Sequence, residues 1–321
     1  MRRRVALVLG VLAAAIALGW WSGSQPDRDA VETARRELGI PLETRRVPVG
    51  DVTLFVVLGG PPDGPPVVLL HGFPEFWYAW SRPMALLAAD GFRVAVPDQR
   101  GYGGSDKPRD VEAYRVDALA DDVANLIAAL GWPRAAVAGH DWGGAVAWAL
   151  AIRHPERVRK LAIIDTPHPA ALATPSDEAT VSWYRTFFRI PGLPEWTSRL
   201  GNWFPVTKML RDTALPGAFP EAKMDLYRSA WNHDGAYGTM IDWYRAAFRH
   251  PPPAPGDALR VHVPTLVLRA PDDAFMTADA TRASLRWVDD GRLVELPRGS
   301  HWVLQEDPET VARELAAFFR P

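Results

Sequence analysis

Six consecutive residues, Gly139-His140-Asp141-Trp142-Gly143-Gly144, constrain this chain more than any others. They join a β-rich run at 135–138 to a stretch with helical spacing at 145–153. A strand turns this sharply into a helix only when the residues two before and two after the turning residue are nearly free of side chain; both are glycine here. The bend lifts the central side chain above the sheet. The helix N-terminus beside it offers backbone N–H groups and a dipole that favours negative charge. An aspartate before a helix is ordinarily a cap. With strand, glycines and helix all present, Asp141 is instead expected to be a nucleophile. A serine attacking a saturated carbon would leave an ether the site could not cleave, whereas a carboxylate leaves an ester that it could. Aspartate on this bend therefore points to substitution at carbon rather than acyl transfer.

The surrounding pattern is a series of short β-rich runs at 67–70, 94–96, 135–138, 161–164, 265–268 and 293–296, alternating with helical stretches such as 117–130. A hairpin is expected ahead of them, from 44–49 and 52–58 about Gly50-Asp51. Such alternation predicts an α/β fold, a mostly parallel sheet flanked by helices. The pattern lapses from 168 to 255, where Trp, Tyr, Phe and Arg are frequent and no strand-like run occurs. We expect a helical cap there, with a core formed by 40–167 and 256–321 and closed by an amphipathic helix at 308–319.

Two further turns supply partners for Asp141. His71-Gly72-Phe73-Pro74 follows the first core strand, where the backbone N–H of Phe73 is placed to form an oxyanion hole with that of Trp142. The base should be a histidine after the last strand. Of eight histidines only His301 stands there; His71 and His140 belong to the motif turns, and His154, His168, His233, His250 and His262 read as surface or capping residues. The orienting acid should follow the preceding strand, where Asp272 and Asp273 both lie. Asp273 is preferred, with Asp272 and Asp165 (after 161–164) in reserve.

Composition narrows the alternatives. A chain of 321 residues with 48% hydrophobic and 23% charged residues forms a large core. The net charge of -2, without a basic stripe, gives no footing for nucleic acid. Absence of cysteine excludes disulfides, thiolate metal sites and thiol nucleophiles. The N-terminus differs: Arg2, Arg3 and Arg4 precede an uncharged apolar run over 5–21 that ends in Trp20 and Trp21. We expect residues 1–24 to be a membrane anchor holding the catalytic domain outside the cytoplasm, or an export signal that is cleaved. Intact mass and membrane fractionation distinguish the two.

His71-Gly-Phe-Pro-Glu75, Asp98-Gln-Arg-Gly-Tyr-Gly-Gly-Ser105 and Gly139-His-Asp-Trp-Gly-Gly144 together resemble the epoxide hydrolase branch of the α/β-hydrolases, over nearly everything from about residue 40 onward. The resemblance implies a small-molecule epoxide as substrate, which a cap rich in Trp and Phe suggests is largely apolar, no metal or organic cofactor, and two cap tyrosines that hold the epoxide oxygen. Tyr184, in Ser182-Trp-Tyr-Arg, and Tyr244, in Asp242-Trp-Tyr-Arg, look like that pair. Their phenols, with an ordinary pKa of about 10, stay neutral yet able to donate at pH 7. Departures exist: Arg269-Ala270 replaces a usual Trp-Gly, Arg189 a glutamine, and Asp242 an asparagine. A haloalkane dehalogenase would share Asp141 and Trp142 but place Asn or Glu at position 73, and a haloacetate dehalogenase favours Arg at 142. A non-catalytic binding protein on this scaffold would show a broken constellation, and none is broken here.

Overall fold

In the computed structural model, β1 (Leu42–Pro48) and β2 (Thr53–Gly59) form the expected hairpin, with Pro48 opposite Thr53. The structure describes residues 29–172, 180, 182–252 and 255–320. The N-terminal segment at 1–24 lies outside the described residues, among which no helix is long and apolar enough to cross a membrane. The leading helix Ala30–Leu38 begins on the Asp29 side chain, which accepts the Val31 and Glu32 N–H groups, and ends on Gly39 in the left-handed region.

The alternating runs become β3 (Pro66–Leu70), β4 (Arg93–Pro97), β5 (Ala135–His140), β6 (Val158–Ile164), β7 (Thr265–Arg269) and β8 (Gly291–Glu295). They form one eight-stranded sheet in the order β1-β2-β4-β3-β5-β6-β7-β8, with β2 antiparallel to its neighbours and the rest parallel. β3, β4, β5 and β7 are buried along almost their whole length, which explains why they read as apolar runs without alternation. The strand order reverses at β3, because the chain leaves it on one side for β4 and returns on the other for β5. Ligands bind at such a reversal, beyond the carboxyl ends of the strands. There Leu70 pairs with Gly139, so the turns after β3 and β5 lie side by side.

Between β6 and β7 the described residues are helical, chiefly Trp183–Phe187, Leu193–Ser198, Leu200–Thr213, Glu221–Asn232 and Ala236–Arg249. This layer is fastened to the loops of the sheet by indole and hydroxyl groups. The Trp231 indole donates to Pro74 O at 2.6 Å, Tyr227 Oη to Glu75 Oε1 at 2.8 Å, the Trp243 indole to Arg100 O at 3.1 Å, and Thr239 Oγ1 to Gly101 O at 2.5 Å. The loop that receives the last two is itself braced. Arg100 pairs with buried Asp122 through two 2.7 Å bonds and reaches Asp51 at 2.7 Å, and the Gln99 side chain donates to His71 O at 2.6 Å. One loop thus holds the Phe73 turn on one side and the helix carrying Tyr244 on the other.

Burial pushes the Asp122 carboxyl up to about 6 even against the opposing pull of Arg100. In Arg100→Met the lone carboxyl retains a proton to still higher pH in the folded state, whereas the unfolded chain gives it up near 4. The folded variant therefore binds more protons than the unfolded one across that interval, and its stability falls as pH rises. Denaturant unfolding should show a loss approaching ~3–5 kcal/mol relative to wild type at pH 8 and a smaller loss at pH 5.

Candidate active site

The bend after β5 has the geometry its glycines require. Asp141 sits at φ 50° and ψ -122°, and the helix Trp142–Arg153 starts at once, three residues before the periodicity begins at 145 because Gly143 and Gly144 carry no pattern. A Cβ at Gly139 would collide with Gly143 O, and one at Gly143 with Leu70 O. Thr166 Oγ1 donates to Asp141 O at 2.9 Å and steadies the bend from β6. The Asp141 side chain makes no capping bond to the helix. Its Oδ1 accepts the Phe73 N–H at 2.9 Å, while Oδ2 lies 3.5 Å from His301 Nε2. Trp142 opens the helix, so its N–H has no partner within that helix.

His301 is buried, and its Nδ1 lies 2.8 Å from Asp273 Oδ2. Asp273 Oδ1 accepts the N–H groups of Phe275 and Met276 at 2.7 and 3.1 Å, which fixes the carboxylate. The three acids proposed from sequence part company here. Asp272 is exposed, and its backbone N–H joins Gly299 O. Asp165 is buried at φ 49° with Oδ1 on the Ala270 N–H and no hydrogen-bond partner at Oδ2. Burial pushes its carboxyl well up, and the neighbouring Asp273 adds to the shift. Only Asp273 meets the imidazole. The replacement at 269–270 leaves this turn intact, since Ala270 contributes its backbone N–H alone.

Burial by itself would raise the Asp141 carboxyl and lower His301, but each is overridden by the other and by its hydrogen bonds. Contact with His301 and the Phe73 N–H hold Asp141 below the usual carboxylate range, and Asp273 and Asp141 hold His301 well above the usual imidazole value. The imidazole thus lies between the side chains of Asp141 and Asp273.

Tyr184 and Tyr244 both line the cavity into which Asp141 opens, their rings 5.8 Å apart and edge to face. The cavity has a volume of about 310 Å³ and is otherwise largely apolar. Burial pushes both phenols up, Tyr244 well above its ordinary value, and so keeps them protonated. Arg245 aligns the two helices that carry them. Its guanidinium donates to Phe188 O at 3.0 Å and Ile190 O at 3.2 Å, and pairs with Glu195 at 2.7 Å and Asp242 at 2.9 Å. Asp242, a departure from the family pattern, is thereby an ion-pair partner.

Sequence reasoning missed several neighbours. Phe275 packs on the His301 ring at 4.9 Å and on Tyr184 at 6.0 Å, and nothing distinguishes it from a core phenylalanine except its place two residues after Asp273. Glu75 and His140 form a buried pair, 3.5 Å apart, beside His301, and His140 Nε2 donates to His301 O at 2.7 Å. Their positions within two motifs were the available signal. His168, expected at the surface or in a cap, does cap the turn Pro169–Ala171 but is fully buried, because Leu259 O and Trp287 enclose its ring.

Replacing Asp141 by Asn removes one of the two charges that hold the His301 proton. The imidazole should then titrate at lower pH than in the wild type, as followed by NMR of its ring protons. An unchanged midpoint would mean that the two groups are not coupled in solution.

The comparisons with known proteins agree with this geometry. The α/β hydrolase fold family matches residues 65–308. The AB hydrolase superfamily protein YfhM of Bacillus subtilis is 36% identical over 273 residues, covering 84% of this chain and 95% of its own. Epoxide hydrolase 4 of Mus musculus is 33% identical over 290 residues, 86% of this chain and 78% of its own. The crystal structure of Epoxide Hydrolase A from Mycobacterium thermoresistibile has a TM-score of 0.75 at 28% identity and covers 87% of this chain and 98% of that one. An aspartate bend, a buried histidine and acid, and kinship over most of the chain lead to one assignment: this protein is a hydrolase of the α/β-hydrolase superfamily and belongs to its epoxide hydrolases.

Proposed function

We propose that the enzyme converts an apolar epoxide to a vicinal diol through an ester on Asp141. Oδ2 attacks one epoxide carbon, forming a C–O bond as the ring C–O bond breaks and its electron pair moves to the ring oxygen. Tyr184 and Tyr244 hold that oxygen, and one phenol gives it a proton. Esterification removes the Asp141 charge that had helped His301 keep its own proton. That proton restores the phenol and leaves His301 neutral.

The neutral imidazole, oriented by Asp273, then takes a proton from water as the water oxygen adds to Cγ of the ester. Negative charge develops on Oδ1, which already accepts the Phe73 N–H at 2.9 Å, within the range for an oxyanion donor. The Trp142 N–H is the second donor in this reading. Collapse expels the diol with the proton from His301, and the regenerated carboxyl returns its own proton to the imidazole. Atoms and charges balance over the cycle: one epoxide and one water give one diol.

The observation that carries this reading is the inequality of the two Asp141 oxygens, one fixed on a backbone N–H and the other facing His301, in a cavity that also holds two phenols. The dehalogenase alternative would use Asp141 and Trp142 but has no task for the tyrosine pair, and a halide-release assay tests it directly.

In a single turnover in oxygen-18 water, the label should enter the Asp141 carboxylate, read by mass spectrometry of the peptide that contains it. Asp141→Ala should form no diol. Tyr184→Phe and Tyr244→Phe should each lower kcat by about 10²–10⁴. Asp273→Asn should cost about 10⁴ in turnover and Asp272→Asn little. Label found in the diol alone, with Asp141 unlabelled, would rule out the covalent route.

A further inference from the structure

Large apolar side chains are unevenly exposed. Of the nine that stand exposed among the described residues, eight fall between 172 and 248, and Val116 is the ninth. The most prominent are Trp183 at 67%, Phe204 at 60% and Trp196 at 54%, accompanied by Ile190, Leu193 and Phe248. Most of them belong to the helical layer that also supplies much of the cavity lining. Trp183 and Pro205 line the cavity and face solvent at once, and Trp196 and Phe204 directly precede the lining residues Thr197 and Pro205. Scattered exposed hydrophobics are ordinary, but a concentration of aromatic side chains in one layer marks a contact surface.

The charges there identify the partner. Across residues 182–204 the exposed arginines are Arg189 and Arg199, since Arg185 turns towards Tyr184; the one acid there, Glu195, is paired with Arg245. Arg189 lies over the Phe248 ring at 4.8 Å and Arg199 over the Trp203 ring at 5.6 Å, so cations are interleaved with the aromatics. A chain of net charge -2 thus presents a locally basic, aromatic face. A second copy meeting this face about a two-fold axis would set the same arginines against one another. A lipid surface complements both features: aromatic rings settle at the level of the headgroups, and arginines attract anionic lipid.

We infer that the rim of the cap around Trp183, Trp196 and Phe204 docks on an anionic lipid bilayer, with the cavity mouth facing the membrane. The contact is separate from the apolar N-terminal segment, which would at most keep the domain nearby. It also holds whichever small molecule the cavity takes.

The absence of cysteine makes the test direct, since one introduced thiol can be labelled alone. Full-length Phe204→Cys, Trp196→Cys and Val116→Cys are each labelled with an environment-sensitive fluorophore. They are mixed with phosphatidylcholine vesicles containing phosphatidylglycerol, with brominated lipid as quencher. The labels at 204 and 196 should shift to the blue and be quenched, while that at 116 stays in water. Adding Arg189→Gln and Arg199→Gln should reduce lipid contact at 204 roughly thirtyfold. A chain that binds vesicles while 204 remains in water overturns the inference, as does a chain that does not bind them. Burial of the label at 204 with rising protein concentration and no vesicles would assign the surface to a second copy instead.

Discussion

The two oxygens of the Asp141 carboxylate are held by different parts of the fold, and every other feature of the site is arranged around that difference. Oδ1 belongs to the turn after β3, through the Phe73 N–H, and Oδ2 to the turn after β8, through His301. The carboxylate between them projects from the bend after β5. Three strand ends must therefore keep register to within tenths of an ångström. The parallel pairing of β3 with β5, and the buried runs on either side, supply that rigidity. The glycines at 139 and 143 matter because they let backbone pass where any side chain would push these turns apart.

The loop from Asp98 to Ser105 has a less obvious part. It contains no residue of the reaction, yet its backbone carbonyls at 100 and 101 receive Trp243 and Thr239 from the helix of Tyr244, while Gln99 holds the turn of Phe73. Arg245 continues the connection to the helix of Tyr184. The groups proposed to hold the epoxide oxygen and the donor proposed to stabilise the later oxyanion thus share one support. A disturbance of Arg100, deep in its pair with Asp122, would reach both stages of the proposed reaction.

Much of this was legible in the sequence, for reasons that differ by residue. The bend at Asp141 announces itself because steric necessity writes glycine into fixed positions. His301 follows from chain order. The orienting acid was not decidable from the chain, since Asp165, Asp272 and Asp273 all follow strands. What separates them is direction and environment: outward for Asp272, inward onto the Ala270 N–H for Asp165, and inward onto the imidazole for Asp273. The tyrosines came through family resemblance, because aromatic residues in a helical segment look alike until the helices fold over the site. Phe275 meets the site through packing, which leaves no local pattern to read, whereas Glu75 and His140 were marked only by their places within two motifs.

One consequence follows from the enclosure of His301 by Phe275 and Trp302. Apolar walls admit little water, so in the proposed cycle hydrolysis of the Asp141 ester waits on a solvent molecule reaching it. A compound that alkylates Oδ2 and then leaves a bulky, water-repelling remnant would stall the cycle at its midpoint. On that proposal, the same enclosure leaves the protein open to inactivation by reagents it attacks readily and discharges slowly.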